Sequence, residues 1–385
     1  MTGIDDLSVT SNQDLGPLQQ TPLHAAHVAA NGKLVAFAGY EMPVQYPTGV
    51  LAEHLHTRSS AGAFDVSHMG QAFIDGHPDP ADVLEQLVPG DIKGLAPGHS
   101  RYTMLLNELG GVVDDLIVSR LPRVPGRLFV VVNASRKAND FALMRSRFGG
   151  RAALTELNDR VLIALQGPKA ATVLSRMIPD AVQLSFMQCA LYRIGRFDAI
   201  VTRSGYTGED GFEISMPQAA GVPFWQRLLG EAEVKPIGLG ARDSLRLEAG
   251  LCLYGHDVDE TTSPIEAGLS WTIGKRRRAS GDFPGAERIL EELVQGPARK
   301  RVGLRPDGRA PAREGTIIVD ETGKTIGSVT SGGFAPSLDA PIAMGYVEAA
   351  YAEIGTKLGL VIRGKVNPAR VVAMPFIPHQ YKRSH

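Results

Sequence analysis

Two adjacent carboxylates, Asp114 and Asp115, stand at the start of an apolar run that extends to Val118. Successive side chains of a strand point to opposite faces, so one carboxylate can face a cavity while the other stays in solvent or caps a turn. We therefore do not expect the two to share one proton. Gly110-Gly111 before them favours a hairpin turn, so the residue pattern alone is more typical of a solvated Asp pair beside a turn.

A glycine-rich loop, residues 204–211, precedes a second candidate functional residue, Glu213. Its three glycines let the backbone approach a ligand closely. Glu213 follows the loop on a predicted strand, between the apolar Phe212 and Ile214. Its carboxylate either faces solvent or accepts paired N–H donors from a heterocycle in a dry pocket. The residue pattern leaves both possibilities open.

Two arginines, Arg242 and Arg246, lie four residues apart and therefore on one face of a predicted helix. Like charges at this spacing repel each other slightly. They are tolerated if an anion lies between them or if Asp243 and Glu248 neutralise them. Neutralisation by the neighbouring carboxylates is the commoner arrangement.

Several other classes of site are disfavoured. His54 and His56 point roughly 200° apart on a predicted helix, so they cannot bind one metal ion together. The sequence shows no phosphate-binding P-loop, no dinucleotide-binding glycine motif after a strand and no serine-hydrolase elbow. Cys252 lies between two leucines and is interpreted as a core thiol. We expect no metal site.

Charge and cysteine content exclude further classes of protein. The 40 Lys and Arg nearly balance the 41 Asp and Glu, so no global field attracts nucleic acid or an anionic membrane. Cys189 and Cys252 are expected to be free thiols, and no apolar run is long enough to span a bilayer. Residues 1–20 contain no Lys or Arg and are interpreted as a frayed tail. A cytoplasmic location is the resulting expectation.

The elements that must position these residues alternate between helix and strand, which predicts α+β sheets with packed helices. Phe64 to Ile74 is predicted as one extended segment, and Ser135 as the cap of a helix that ends at Gly149. Beyond residue 296, short β-rich runs separated by turns predict a small β-barrel or sandwich domain.

Many ordered stretches of the chain closely resemble glycine cleavage T-proteins, and the likeness runs from about Thr21 to Tyr381. The stretches that carry it are residues 37–46, 64–69, 107–118, 164–168, 205–211, 241–250, 271–277, 330–332 and 374–376. The resemblance implies a three-domain cloverleaf around a central folate cavity. Residues 21–295 would form two interleaved α+β folate-binding domains, and residues 296–385 a C-terminal β-barrel domain.

The resemblance also implies roles for individual residues. Asp115 matches the catalytic carboxylate, Glu213 the acceptor for the pterin N–H groups and Arg242 an anchoring cation. Phe186 takes a position that is Tyr in some relatives, so the hydroxyl group of those relatives is missing here. The remaining residues that match the cavity lining are Tyr102, Asn133, Tyr206, Trp271 and Tyr381.

The implied reaction moves the methylene carbon of an aminomethyl group from lipoylated H-protein to tetrahydrofolate. Tetrahydrofolate would be the acceptor substrate, and the H-protein would supply the lipoyl group. The products would be 5,10-methylenetetrahydrofolate, ammonia and dihydrolipoyl H-protein. No metal is required. The basic run Lys275 to Arg278 is either a docking patch for this acidic partner or a solvated charge run.

Two other functions share the folate-binding fold. Non-catalytic folate-binding proteins of iron–sulfur assembly or tRNA modification carry a Lys-Gly-Cys-Tyr-x-Gly-Gln type motif. Here residues 249–256 lack the Lys before Gly and the Gln. The folate domains of dimethylglycine- or sarcosine-oxidising enzymes accompany a flavin domain, which this sequence does not show.

Overall fold

The structure, a computed structural model, describes residues 17–383. Nine α-helices lie in this part of the chain, and α1 to α9 are His24–Ala29, Val50–Ser59, Ala81–Leu84, Lys137–Phe148, Ala170–Ser175, Gln218–Leu229, Leu239–Glu248, Lys275–Ser280 and Ala286–Gln295. Three short 3-10 helices are Pro179–Gln183, Ser270–Thr272 and Ala349–Tyr351. The strands, β1 to β19, are Lys33–Phe37, Tyr40–Gln45, Ala61–Asp65, Gly70–Gly76, His99–Leu106, Val112–Arg120, Arg127–Val132, Ala152–Glu156, Arg160–Gln166, Cys189–Ile194, Phe197–Thr202, Gly211–Pro217, Val234–Pro236, Arg299–Pro306, Ile317–Val319, Thr325–Ala335, Ala340–Glu348, Lys357–Ile362 and Lys365–Val372.

Two sheets share the first part of the chain and are interleaved in sequence. Strands β10-β11-β12-β9-β3-β13 form a six-stranded sheet, and β5-β6-β7-β4-β8 form a five-stranded sheet. The chain enters the first sheet with β3, builds the second from β4 to β8, and returns to the first with β9. The predicted α+β fold with two interleaved domains is confirmed.

The prediction of one extended segment from Phe64 to Ile74 is wrong. The chain leaves β3 after Asp65, turns through Val66–Met69 and enters β4 at Gly70 in the other sheet. The break is the crossing point between the two sheets. Asp65 fixes the turn, because its carboxylate accepts a hydrogen bond of 2.9 Å from the Ser67 N–H.

Helix α4 packs on the five-stranded sheet through Phe141, Met144 and Phe148, which join one buried apolar cluster with strand residues. The helix ends as predicted at Gly149, whose φ of 54° lies in the left-handed region that suits glycine. The predicted cap at Ser135 is wrong. Arg136 is the residue before the helix, and no side chain caps the helix start.

The C-terminal strands close into a barrel in the order β14-β17-β16-β15-β18-β19, because β14 pairs with both β17 and β19. This confirms the predicted barrel. Helix α7 packs on it through Leu247, which contacts the cluster of Ile342 and Met344. Arg246 of the same helix donates a hydrogen bond of 3.0 Å to Ser331 on β16. These contacts fix α7 against the barrel.

After the barrel, the chain crosses back to the six-stranded sheet. The Gln380 N–H donates to the Gly208 carbonyl (2.8 Å), and the Phe186 N–H donates to the Lys382 carbonyl (2.7 Å). The C-terminal segment therefore lies on the glycine-rich loop, and Tyr381 is held beside it.

At the other end of the chain, residues 1–16 of the predicted 1–20 tail lie outside the described residues. Gln19 pairs with the hairpin formed by β1 and β2, through a bridge to Tyr40. Within residues 17–383, no helix is long and apolar enough to cross a membrane. Cys189 and Cys252 are free and buried, as predicted.

Candidate active site

Asp114 and Asp115 lie on β6, whose burial alternates along the strand. The Asn133 side-chain amide, just beyond β7, donates to Asp115 Oδ1 (2.7 Å) and to Asp114 Oδ1 (2.9 Å). The Asn133 N–H donates to Asp114 Oδ2 (3.0 Å). One asparagine therefore connects two carboxylates that point to opposite faces of the strand.

Asp115 is partly buried, and Asp114 is 0% exposed. If Asp115 is the carboxylate that faces the cavity, Asp114 is expected to stay in solvent or to cap a turn. That expectation is wrong, because Asp114 is buried. The side of β6 opposite Asp115 faces the core beneath α4 and not solvent, and the hydrogen bonds of Asn133 satisfy the buried charge.

The environment of Asp115 is suited to proton transfer. Burial, followed by the nearby Asp114 charge, raises the pKa of Asp115 to about 7, while Tyr102 and Asn133 act in the opposite direction. Burial also raises the pKa of Asp114. A carboxyl group whose pKa lies near neutrality can both accept and release a proton at physiological pH.

An aromatic wall adjoins Asp115. The rings of Tyr102 and Trp271 stack at 5.7 Å between centroids with 26° between their planes. The Trp271 side chain is 65% exposed, although large apolar residues are usually covered. An exposed indole stacked on a half-buried phenol offers a flat surface to a planar ligand.

A second group surrounds the glycine-rich loop. The Arg242 guanidinium lies 4.8 Å from the ring centroid of Tyr206, and the Tyr206 hydroxyl donates to the Cys252 carbonyl. Glu213 is partly buried and accepts a hydrogen bond of 2.9 Å from the Ser204 hydroxyl. Burial lowers the pKa of Arg242, and Glu213 opposes this shift.

The predicted neutralisation of the arginine pair by Asp243 and Glu248 is confirmed for Asp243 and wrong for Glu248. Asp243 pairs with Arg246 at 2.7 Å, and the buried Asp257 adds a second contact at 2.8 Å. Glu248 does not pair with Arg246. It lies 3.0 Å from Arg58, so its charge stabilises a different part of the fold.

Six of these candidate residues form two groups, apart from the aromatic wall and Tyr381. We call Asp114, Asp115 and Asn133 the carboxylate side, and Tyr206, Glu213 and Arg242 the cation side. The groups are close enough for charge on Asp115 to raise the pKa of Tyr206, after the larger effect of burial. The two groups therefore lie within electrostatic reach of each other.

Tyr381 has a separate set of contacts. Its ring stacks on Phe186 at 4.0 Å with 4° between the planes, and His379 lies 4.8 Å away at a tilt. Burial raises the pKa of Tyr381 to about 12. Phe186, which lacks the hydroxyl of some relatives, therefore acts here as a stacking partner for Tyr381.

Sequence reasoning missed two buried polar residues near the site. Asp140 on α4 is fully buried, and a signal for it exists, because Met144 and Phe148 follow at the spacing of one helix face. His68 is also buried, and burial lowers its pKa to about 4, so the imidazole is neutral at physiological pH. No comparable signal marks His68.

Both interpretations of the basic run Lys275 to Arg278 are wrong for Arg277. This side chain is 0% exposed and donates to the Val88 carbonyl at 3.1 Å. Arg276 is engaged as well, with a contact of 2.7 Å to Asp91. Arg276 and Arg277 therefore hold α8 against the segment that follows α3, whereas Lys275 and Arg278 are exposed. The docking patch stays a prediction for the exposed residues of the run.

The described residues contain no group of three or more His, Cys, Asp or Glu side chains arranged to hold a metal ion. The groups that the site brings together are carboxylates, an amide, aromatic rings and a partly buried guanidinium.

Comparison with known proteins shows close relatives over nearly the whole chain. The chain is 49% identical to "Aminomethyltransferase, mitochondrial" of Gallus gallus over 372 residues, which cover 94% of each chain. It is 48% identical to the protein of the same name from Homo sapiens, covering 94% of this chain and 91% of the human one. The mitochondrial names contradict the expected cytoplasmic location. The composition of residues 1–20, which supported that expectation, does not determine it.

A solved structure and two family models agree with these relatives. The glycine cleavage system aminomethyltransferase T from Bartonella henselae superposes with a TM-score of 0.90 at 46% identity, covering 95% of this chain and all of that one. Residues 23–277 match the model described as "GCVT N-terminal domain", and residues 299–377 match "Glycine cleavage T-protein C-terminal barrel domain". The chain belongs to the glycine cleavage T-protein family and is an aminomethyltransferase.

Proposed function

We propose that the chain transfers the methylene carbon of an aminomethyl group, carried on the lipoyl arm of an H-protein, to tetrahydrofolate. The observation that carries the proposal is the partly buried Asp115, held by Asn133 and within electrostatic reach of the cation side. The products are 5,10-methylenetetrahydrofolate, ammonia and the dihydrolipoyl H-protein.

Asp115 is the catalytic carboxylate in this proposal. The folate nitrogens N5 and N10 attack the methylene carbon as its bonds to the amino nitrogen and to the lipoyl sulfur break. Positive charge develops on each attacking nitrogen until it loses its proton, and ammonia and the dihydrolipoyl thiol leave with the two protons that the folate gives up. A carboxylate beside the reacting atoms accepts the proton and stabilises that charge. Asn133 donates to Asp115 Oδ1 at 2.7 Å, which leaves Oδ2 without a bond to this amide. We assign the contact with the substrate to that oxygen.

The cation side and the aromatic wall hold tetrahydrofolate. Glu213 accepts N–H donors of the pterin, since an ionised carboxylate accepts two parallel hydrogen bonds. Arg242 anchors an anionic group of the folate. Trp271 and Tyr102 offer a flat surface, and Tyr381 contributes to the edge of the cavity with Phe186. Holding two substrates in reacting geometry supplies a large part of the rate in such transfers.

The H-protein enters the proposal as the donor of the aminomethyl group. The solved relative from Bartonella henselae is named as a component of the glycine cleavage system, which supports this partner. The relatives do not favour the alternative of a non-catalytic folate-binding protein, because those from chicken and human are named as aminomethyltransferases.

The test is an assay of ammonia release with purified protein, tetrahydrofolate and aminomethyl-loaded H-protein. We expect release that requires both substrates and that falls sharply in Asp115→Asn. The matched control is Asp198→Asn, because Asp198 is exposed on β11. Ammonia release without tetrahydrofolate, or equal rates in the two variants, would contradict the proposal.

A further inference from the structure

Asp140 is a buried carboxyl group that the proposed function does not use. It lies on α4 and is 0% exposed, and neither of its carboxyl oxygens accepts a hydrogen bond from a described residue. Its near neighbour is another carboxyl group, Asp114, within hydrogen-bonding reach. A buried carboxylate without donors is strongly disfavoured, so the protonation state of Asp140 needs an explanation.

The hydrogen bonds of Asp114 show which group of this pair carries the charge. Asp114 accepts the Asn133 side-chain amide on Oδ1 and the Asn133 N–H on Oδ2. An ionised carboxylate has about four acceptor positions, so Asp114 can accept one more hydrogen bond. Asp140 receives none. The arrangement is therefore satisfied when Asp114 is ionised and Asp140 carries a proton.

The remaining charged groups near Asp140 agree with this assignment. Burial, followed by the Asp114 charge, raises the pKa of Asp140 to about 10, and Asp115 adds to the rise. Arg136 opposes it from one helical turn away, but its nearest carboxylate is Glu260, at 2.7 Å. Tyr254 lies beneath the Arg136 guanidinium, at 5.5 Å, and its own pKa is raised by burial.

We propose that Asp140 is a protonated carboxylic acid that donates its O–H to Asp114 and acts as a positioning residue for the catalytic group. The connection runs from Asp140 to Asp114, from Asp114 to the Asn133 amide, and from that amide to Asp115 Oδ1. Asp140 keeps Asp114 ionised, and Asp114 holds Asn133 in the orientation that aims Asp115. The inference rests on the proposed role of Asp115.

Two substitutions distinguish a protonated Asp140, which donates a hydrogen bond to Asp114, from an ionised Asp140. Asp140→Asn keeps the volume and an N–H donor for Asp114, whereas Asp140→Leu keeps the branched shape and the number of non-hydrogen side-chain atoms but removes the donor. We expect Asp140→Asn to retain turnover within about twofold and the wild-type pH profile. In Asp140→Leu, the loss of a hydrogen bond to a charged group should reduce kcat about tenfold and displace the acid limb of the profile.

Three outcomes of these measurements would contradict the inference. If Asp140 were ionised, both variants would remove a negative charge and move the acid limb to lower pH alike. If all three proteins behaved alike, Asp140 would have no positioning role. A purely structural role would lower the stability of Asp140→Leu without moving the acid limb.

A direct measurement does not depend on activity. In protein labelled with ¹³C at the Asp carboxyl carbons, the Asp140 signal is identified by its loss in Asp140→Asn, which also serves if Asp140→Leu fails to fold. We expect that signal to stay at the position of a protonated carboxyl across the neutral pH range. A carboxylate position would overturn the inference even if Asp115→Asn behaves as proposed, so the two proposals fail separately.

Discussion

The carboxylate side and the cation side of the site differ in how burial shifts the pKa values of their charged groups. On the carboxylate side, burial raises the pKa of Asp114 and Asp115, and an asparagine connects the two groups. On the cation side, Arg242 lies over an aromatic ring and near Glu213, and burial lowers its pKa. Groups near their titration point suit proton transfer, whereas a permanent charge suits anchoring. The comparison assigns the chemistry to one side and binding to the other.

The largest expected effect is that of Asp115→Asn. Loss of a positioned proton-transfer group typically reduces turnover by about 10²–10⁴-fold. The dissociation constant of tetrahydrofolate should change little, because binding is assigned to the other side. Single-turnover ammonia release and folate titration measure the two quantities. A weakened folate complex with unchanged turnover would remove the division between the two sides.

Asp114→Asn should cause a smaller loss of turnover and a shift in pH dependence. The Asp114 charge helps to raise the pKa of Asp115, so its removal lowers that pKa. Because the proposal requires ionised Asp115, the acid limb of kcat/KM should move to lower pH. The lost hydrogen bonds from Asn133 should destabilise the fold by about 1.5–3 kcal/mol. A shift of the acid limb to higher pH would contradict this account.

Glu213→Gln tests the cation side. Replacing an ionised acceptor with a neutral one should weaken tetrahydrofolate binding about tenfold, since hydrogen bonds to charged groups are the stronger ones. Turnover at saturating folate should stay close to that of the unsubstituted protein. Glu348→Gln, exposed on the barrel, is the matched control. Unchanged calorimetric titration of Glu213→Gln would exclude the assigned role.

The smallest effect is expected from Tyr206→Phe. This change removes the hydrogen bond to the Cys252 carbonyl but keeps the aromatic ring beneath Arg242. One neutral hydrogen bond contributes about 0.5–1.5 kcal/mol to stability. Urea denaturation should detect a loss of this size, with folate affinity nearly unchanged. A large loss of affinity would show that the hydroxyl group, and not the ring, positions Arg242.

Local patterns in the sequence predicted the barrel, the α+β sheets and the opposite facing of Asp114 and Asp115, because strand periodicity is a local property. What lies behind a strand depends on packing between distant segments. Asp114 is buried because α4 covers that face of the sheet, and Arg277 is buried because α8 packs near Val88. The break within Phe64 to Ile74 is likewise set by the two sheets and not by local propensity. The roles of the cavity residues rest on family resemblance and remain predictions.

The interleaving of the two sheets also constrains the order in which the newly made chain can fold. Strand β3 pairs with β9, with Ala63 opposite Leu165, so the six-stranded sheet cannot form until β9 has left the ribosome. All strands of the five-stranded sheet lie between these two. Because domains tend to fold as units during synthesis, we expect this sheet to fold first, while β3 waits unpaired. Limited proteolysis of ribosome-bound chains that have exposed β8 but still hold β9 inside the exit tunnel should find protection in the five-stranded sheet and cleavage near Ala61.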